Sequence, residues 1–423
     1  MLIEFQVTNF RSINETQTLS LVAGSGKELV SENTFESRLP GFPRLLRSAV
    51  VYGANAAGKT NLLRALQLMQ GLVKTSATVS QAGGRIAHAP FKLSKATKNQ
   101  PSEFEVAFAD PDEGVRYEYG FSFDAERFHK EWLIAYPHGR PQNWFERTYR
   151  AAKKKCEWHF STKLKGSPRV WRDATRDNAL FLSTAIQLNS EQLRPVFQWF
   201  DKKLVVIGMG GSLLNPALTL QLLEQPDGKQ RLLQFAHAAD LGIDDLSMRK
   251  EPTAPVLVME GNVVREPLPA TQVATVARVT SIHKAIDDGE PVPLDIGEES
   301  SGTQILFQSA GAWLNVLKNG EVLLYDELDT SLHPLMTRFL IRLFHGANTN
   351  PKNAQLVFTT HDTSLLDADI FRRDQVWFIE KDKKSASKLY PLSDFSPRKD
   401  EALERGYLRG RYGALPFIGE LKI

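Results

Sequence analysis

Residues Val51 to Thr60 read Val-Tyr-Gly-Ala-Asn-Ala-Ala-Gly-Lys-Thr: a glycine, four residues, then Gly-Lys-Thr. This spacing constrains the fold more than any other stretch, because it has meaning only where a buried strand ends and a helix begins. Both flanks meet that condition. Leu45 to Tyr52 is apolar and β-branched and reads as a buried strand, while Leu62, Leu63, Leu66, Met69, Leu72 and Val73 recur at helical spacing. In such a turn the glycines let backbone N–H groups curl around phosphate at the positive end of the helix. The expected contacts to a nucleoside triphosphate are Gly53, Asn55, Ala56, Ala57, Gly58, Lys59, Thr60 and Asn61. Lys59 is placed to reach the β- and γ-phosphates, and the Thr60 hydroxyl to ligate Mg²⁺.

Four later segments complete a site of this kind. Glu321 to Glu327 is a short apolar strand ending in two carboxylates, the Walker B pattern. Asp326 is expected to hold Mg²⁺ through water, and Glu327 to orient and deprotonate the attacking water. Asp329 and Ser331 suit a turn into a helix from about His333, with Pro334 in its first turn. Gln355 to Asp362 reads as another buried strand ending in a polar switch, where His361 is expected to touch the γ-phosphate. Glu299 to Gln304 precedes an apolar helix, so Ser300 and Gly302 make an anion site from backbone N–H groups and the helix dipole. The alternative is an ordinary helix N-cap with Ser300 or Ser301 as the capping residue, and the two roles are compatible.

The remaining chain sets limits on fold and location. Ile3, Phe5 and Val7 alternate with polar residues as an opening strand from residue 2, and an alternation of this kind at the start is no signal peptide. Aromatics on every second residue, Phe104 to Phe108 and Tyr117 to Phe123, suit an antiparallel sheet with one face on a core. Lys153 to Lys155 reads as a solvated hairpin end, with phosphate binding as the alternative. From Asp177 to Leu246 the pattern is helical, with Leu188 to Phe200 one helix pair, and Val256 to Val264 resembles a hairpin around Gly261-Asn262. No heptad repeat persists through the middle, which excludes a long coiled-coil arm. The single cysteine, Cys156, fits a reducing cytosol, and no run is long enough to span a membrane, so a cytoplasmic protein is expected. A net charge of +3 permits nucleic-acid binding without indicating it. Arg405, Arg409 and Arg411 form a basic patch for DNA or an acidic partner, or else a solvated, internally paired tail.

In order and spacing these motifs resemble the ABC-type ATPase heads of the SMC, RecF and OLD group. Glu299 to Gln304 is similar to the ABC signature, keeping its serine and second glycine as Ser300 and Gly302. Glu299, Ser301 and Thr303 depart from the usual Leu-Ser-Gly-Gly-Gln. Asp329 resembles the D-loop, His361 the switch histidine, and Asn9-Phe10-Arg11-Ser12 the opening strand of RecF-like proteins. A denser match is to the AAA15-type ATPase family that includes RloA and the abortive-infection ATPase AbiLi. It rests on residues 298–304, 326–334, 359–367, 373–381 and 406–413, and is diffuse over about 150 to 290.

The resemblance implies an α/β fold: a P-loop sheet with helices plus an antiparallel β subdomain, carrying a mainly helical insertion. The implied division is 1–150 for the N-terminal part of the head, 151–290 for the insertion, and 291–423 for the C-terminal part. It also implies slow ATP hydrolysis by a homodimer, or a higher even oligomer, that closes head to tail around ATP. Lys59, Thr60, Asp326, Glu327 and His361 would come from one subunit, and Ser300 and Gly302 from the other. A glutamine-loop residue is implied too, with His88 to Phe91 the region considered for it. Such ATPases commonly lie beside a separate effector, a nuclease or toxin, in anti-phage defence. About sixty residues follow His361, too few for a fused OLD-type nuclease. The alternatives are a RecF- or SMC-like ATPase acting on DNA in repair, and a scaffold that binds nucleotide with little turnover, against which the intact Asp326-Glu327 pair counts.

Overall fold

The computed structural model describes residues 1–110, 114–209, 216–252, 259–260, 263–264, 275–398 and 401–416. The chain divides into two compact units. The first comprises Met1–Ser212, Val316–Thr330 and Thr337–Ile423, and the second Leu213–Asn315 and Ser331–Met336.

The first unit holds two large sheets. One is antiparallel and seven-stranded, running from the edge strand Lys155–Phe160 through Gln142–Arg150, Phe128–Tyr136, Val115–Phe123 and Ser102–Asp110 to Leu2–Thr8 and Gln17–Ser20. Its aromatic alternation does what the pattern predicts. Phe104, Val106, Phe108, Tyr119, Phe121 and Phe123 are all buried, and Phe104 and Phe123 meet edge to face at 5.2 Å. The other sheet has six strands in the order Leu204–Ile207, Val322–Tyr325, Gln355–Thr359, Ser48–Tyr52, Val376–Lys381 and Ser387–Pro391. All neighbours are parallel except the last pair. Every residue of Ser48–Tyr52, Val322–Tyr325 and Gln355–Thr359 is buried, as expected for parallel strands covered on both faces. The helix Lys59–Thr75 carries Leu62, Leu63, Leu66, Met69, Leu72 and Val73 into one core with Phe5, Val7 and Phe104 of the first sheet and Val51, Leu324 and Val357 of the second.

Two sequence expectations need correction here. The apolar run from Leu45 to Tyr52 is two strands, not one. Phe42–Leu46 pairs with Thr34–Leu39, and Ser48–Tyr52 enters the parallel sheet. Arg47 breaks the run, because its buried guanidinium donates to the carbonyls of Thr34 and Asn350. Within the stretch read as helical, Leu204–Ile207 is a strand on the edge of the parallel sheet, paired with Val322–Tyr325. The expected helix pair around Leu188 to Phe200 is short: Phe181–Gln187, then Arg194–Gln198 running into a π-helical turn at Trp199–Lys203.

The second unit contains the helices Ala217–Leu223 and Pro226–Ala238 and most of Ser301–Asn319. It also has a three-stranded antiparallel sheet of Asp245–Pro252, Thr275–Lys284 and Pro291–Asp295. Gly311 permits close helix packing, since a Cβ there would lie 2.3 Å from the Thr219 backbone nitrogen. Met259–Glu260 pairs with Val263–Val264 as the predicted hairpin, whose Gly261-Asn262 turn lies outside the described residues. No helix among the described residues is long and apolar enough to cross a membrane.

A buried ion pair ties the antiparallel sheet to the helix that follows it. Glu131 and Arg147 are both about fully buried, with Arg147 Nε 2.9 Å from the Glu131 carboxylate. The carboxylate also accepts the Tyr119 hydroxyl at 2.9 Å and the N–H groups of Phe181 and Leu182 at 2.8 and 3.0 Å. Removing one partner strands a charge in the core. Arg147→Met is therefore expected to destabilise the fold by about 3 kcal/mol or more, read as a lowered denaturant midpoint. A midpoint within error of wild type would contradict this account of the pair.

Candidate functional site

Five neighbouring parallel strands deliver their C-terminal ends to one edge of the six-stranded sheet, the place where open α/β folds collect ligands. Ser48–Tyr52 leads into Gly53, Val322–Tyr325 into Asp326, and Gln355–Thr359 into Thr360 and His361. The glycine loop lies hard against the adjoining strand. A Cβ at Gly53 would sit 2.2 Å from the Ile379 carbonyl oxygen, so no side chain fits there. Gly58 has φ +119°, and a Cβ there would also meet Ser387 Oγ at 2.3 Å. Ala56 carries φ +60°, a left-handed conformation that gives the loop its curl.

Lys59, the first residue of the helix, is 6% exposed. Its ammonium donates to the carbonyls of Gly53 at 2.8 Å and Ala54 at 3.3 Å. Burial lowers its pKa, and the carboxylates of Glu327, Asp326 and Asp329 offset part of that fall. Thr60 donates to Asp326 Oδ1 at 3.2 Å, and Thr359 donates to the same oxygen at 2.7 Å. Two hard oxygens thus meet at the sheet edge. This suits Mg²⁺, which takes one or two protein oxygens and fills its shell with water and phosphate.

Glu327 has φ +54°, an uncommon conformation for a residue with a side chain, and its N–H donates to Thr359 Oγ1 at 2.7 Å. The backbone there turns as the strand ends, leaving the Glu327 side chain exposed. Asp329 accepts the His361 N–H at 3.2 Å with either carboxylate oxygen, which fixes the start of the switch loop. Burial lowers the His361 pKa, Lys59 adds to this, and Asp329, Glu327 and Asp326 oppose it. The imidazole is therefore neutral at pH 7 and has one N–H to donate.

A cavity of about 340 Å³ joins these parts. It is lined by residues 54–61 together with Ser12, Glu327, His361 and Lys381. Asn55, Ala56, Ala57, Gly58, Lys59, Thr60, Asn61, Glu327 and His361 thus share one wall system, and Asp326 joins it through Thr60. Ser300 and Gly302 belong to the second unit. There Ser300 Oγ accepts the Thr303 N–H at 3.1 Å and caps the helix Ser301–Asn319, while Glu299 is held by Ser281 and His283 at 2.5 and 2.7 Å. A Cβ at Gly302 would lie 3.0 Å from the Ser331 carbonyl oxygen. In the segment His88 to Phe91, the Ala89 carbonyl accepts the Arg11 N–H and the Phe91 N–H donates to Asn9 Oδ1.

Sequence reasoning missed three members of this assembly. Thr359 orders both carboxylate residues, although it was read only as part of a strand. Ser12 and Ser387 brace the loop from below: Ser387 Oγ donates to the Ala57 carbonyl at 2.5 Å, Ser12 Oγ is 2.8 Å from it, and Asn61 donates to Ser12 at 2.9 Å. Ser12 had a signal in the Asn9-Phe10-Arg11-Ser12 run. Ser387 had none, because its role depends on how a distant hairpin returns.

A family model described as "AAA domain, putative AbiEii toxin, Type IV TA system" matches residues 48–367. Among solved structures, the SMC head domain from Thermotoga maritima is similar at 12% identity over 92% of this chain and 98% of that chain, with a TM-score of 0.39. No curated protein matches the chain.

Lys59→Ala removes the one buried ammonium of the loop. It is expected to lower ATP affinity by about 100-fold, in line with loss of hydrogen bonds to a charged group. Calorimetric titration of the folded variant checks this, and wild-type affinity would contradict the assignment.

Proposed function

The chain belongs to this AAA-domain family of P-loop ATPases, and from that premise we propose that it binds ATP with Mg²⁺ and hydrolyses it slowly. The observation that carries the reading is the single cavity shared by the glycine loop, Glu327 and His361, with Asp326 tied to Thr60 at its floor. In this reading the loop N–H groups and Lys59 hold the phosphates. Thr60 and Asp326 would hold Mg²⁺, which supplies charge neutralisation at the phosphates. Glu327, exposed and free of any ion pair among the described residues, accepts the proton of the attacking water. His361 donates its one N–H to the γ-phosphate, and its tie to Asp329 links loss of that phosphate to the loop ahead of it.

The finer reading follows the likeness to the AAA15-type ATPases. Two copies close around two ATP molecules, and Ser300 and Gly302 of one copy face the γ-phosphate held by the other. The capped N-terminus of the helix Ser301–Asn319 supports this, because it offers N–H groups and a dipole to an anion. Nucleotide state then controls a separate effector, a nuclease or toxin, through differential affinity, in anti-phage defence. The domain division 1–150, 151–290 and 291–423 and a cytoplasmic location remain part of this proposal.

Subunit mixing tests the composite site. Ser300→Arg puts bulk and charge where the opposing phosphate docks, and Lys59→Ala disables the loop. Each variant alone is expected to be inactive, while a mixture recovers up to about a quarter of wild-type turnover through the one intact site of each mixed dimer. Absence of recovery at every ratio would count against sites shared between subunits. The same preparations are expected to leave DNA and RNA intact, and nucleic-acid cleavage by the pure chain would favour a self-contained toxin.

A further inference from the structure

The cavity has a cation that none of the roles above uses. Lys381 lines it, at the end of the strand Val376–Lys381. That strand runs parallel to Ser48–Tyr52, with Trp377 opposite Val51 and Phe378 opposite Tyr52, so its end reaches the same sheet edge as Gly53. Its position is fixed from two directions. Ile379 packs its carbonyl against Gly53, and Lys381 is the cross-strand partner of Ser387, whose hydroxyl binds the Ala57 carbonyl. The backbone of Lys381 is thereby registered to the glycine loop through two independent contacts.

Its side chain is exposed and makes no ion pair among the described residues. The adjacent carboxylate, Asp382, is committed elsewhere: it accepts the N–H groups of Lys384 and Ala386 at 2.8 and 2.9 Å, and these backbone donors hold its pKa below the usual carboxylate value. Lys59 is already bonded to two loop carbonyls. Lys381 is therefore the cation of the cavity wall with its bonding capacity unspent.

The sheet order says which part of a ligand it faces. Asp326, Glu327 and His361 all come from strands on one side of Ser48–Tyr52, and Lys381 from the strand on the other. A nucleotide whose metal and terminal phosphate lie towards Asp326 and His361 must extend its other end towards Lys381. We propose that Lys381 is a nucleotide-binding residue that meets the α-phosphate end of a nucleoside di- or triphosphate. This rests on the nucleotide reading of the cavity. Lysine suits the task as a compact point charge on a flexible stem, able to follow the ligand without a rigid fork.

The test is calorimetric titration of the full chain with ATP and with ADP, for wild type, Lys381→Ala, Lys381→Arg and the Lys59→Ala control, together with steady-state kinetics. Because the α-phosphate is common to both ligands, Lys381→Ala should weaken ATP and ADP binding alike, by about tenfold. KM should rise by a similar factor, with a smaller loss in kcat, and Lys381→Arg should restore most of the affinity. Each variant's circular dichroism is matched to wild type before its titration is read. Wild type binding ATP while Lys381→Ala binds both nucleotides as tightly as wild type would overturn the inference alone. A loss confined to ATP would also overturn it, by moving the contact to the γ-phosphate. Wild type failing to bind either nucleotide would overturn the nucleotide reading and this inference together.

Discussion

Asp326 Oδ1 accepts two hydroxyls, from Thr60 at 3.2 Å and Thr359 at 2.7 Å, and the rest of the site is organised around that oxygen. Thr60 lies in the first turn of the helix that follows the glycine loop, Asp326 directly follows the strand Val322–Tyr325, and Thr359 ends the next. Thr359 also accepts the Glu327 N–H through its hydroxyl and the Leu328 N–H through its carbonyl. One buried carboxylate and one threonine therefore fix where the loop, the exposed Glu327 and the switch segment stand relative to each other. Asp326 is 5% exposed, so leaving it without these donors would cost the desolvation of a charged group. A hub of this kind holds side chains in place before any ligand arrives, which is what electrostatic stabilisation of a reaction requires.

The hub works only because residues far apart in the chain are clamped into one sheet. Gln355 accepts the Leu2 N–H and donates to the carbonyls of Leu2 and Leu46. Asn33 bonds Gln375, and Gln375 in turn bonds Ser48. Arg372, buried, donates to the carbonyls of Gly26 and Glu28. These polar contacts satisfy buried backbone groups that connect the opening segment, the P-loop strand and the C-terminal strands. The close approach of Ile379 to Gly53 then limits that position to glycine for a steric reason as well as for phosphate access.

The parts of the site that were legible in the sequence are those a contiguous run can encode. A buried strand must end in the loop it delivers, so Val51 to Thr60, Glu321 to Glu327 and Gln355 to His361 each announced both an element and a functional end. The aromatic alternation at Phe104 to Phe123 was legible for the same reason, since period two is a local property. What escaped depends on long-range pairing. Leu204–Ile207 is a four-residue strand stabilised by Val322–Tyr325, with nothing in its own length to separate it from a helical neighbourhood. Arg47 divides the run Leu45 to Tyr52 because its carbonyl partners lie far off in the chain, at Thr34 and Asn350. Ser387 and Lys381 reach the loop only because a hairpin near the end of the chain folds back beside the first P-loop residue.

The proposed hydrolysis of ATP at this edge of the sheet, with Glu327 as the base, is tested by turnover and binding in Glu327→Gln. An amide keeps the shape of the side chain but cannot accept the proton of the water. Mg-ATP affinity close to wild type and a single-turnover rate lower by about 100-fold or more are expected. Turnover within about twofold of wild type, with binding intact, would contradict the proposal, because proton abstraction would then fall to another group.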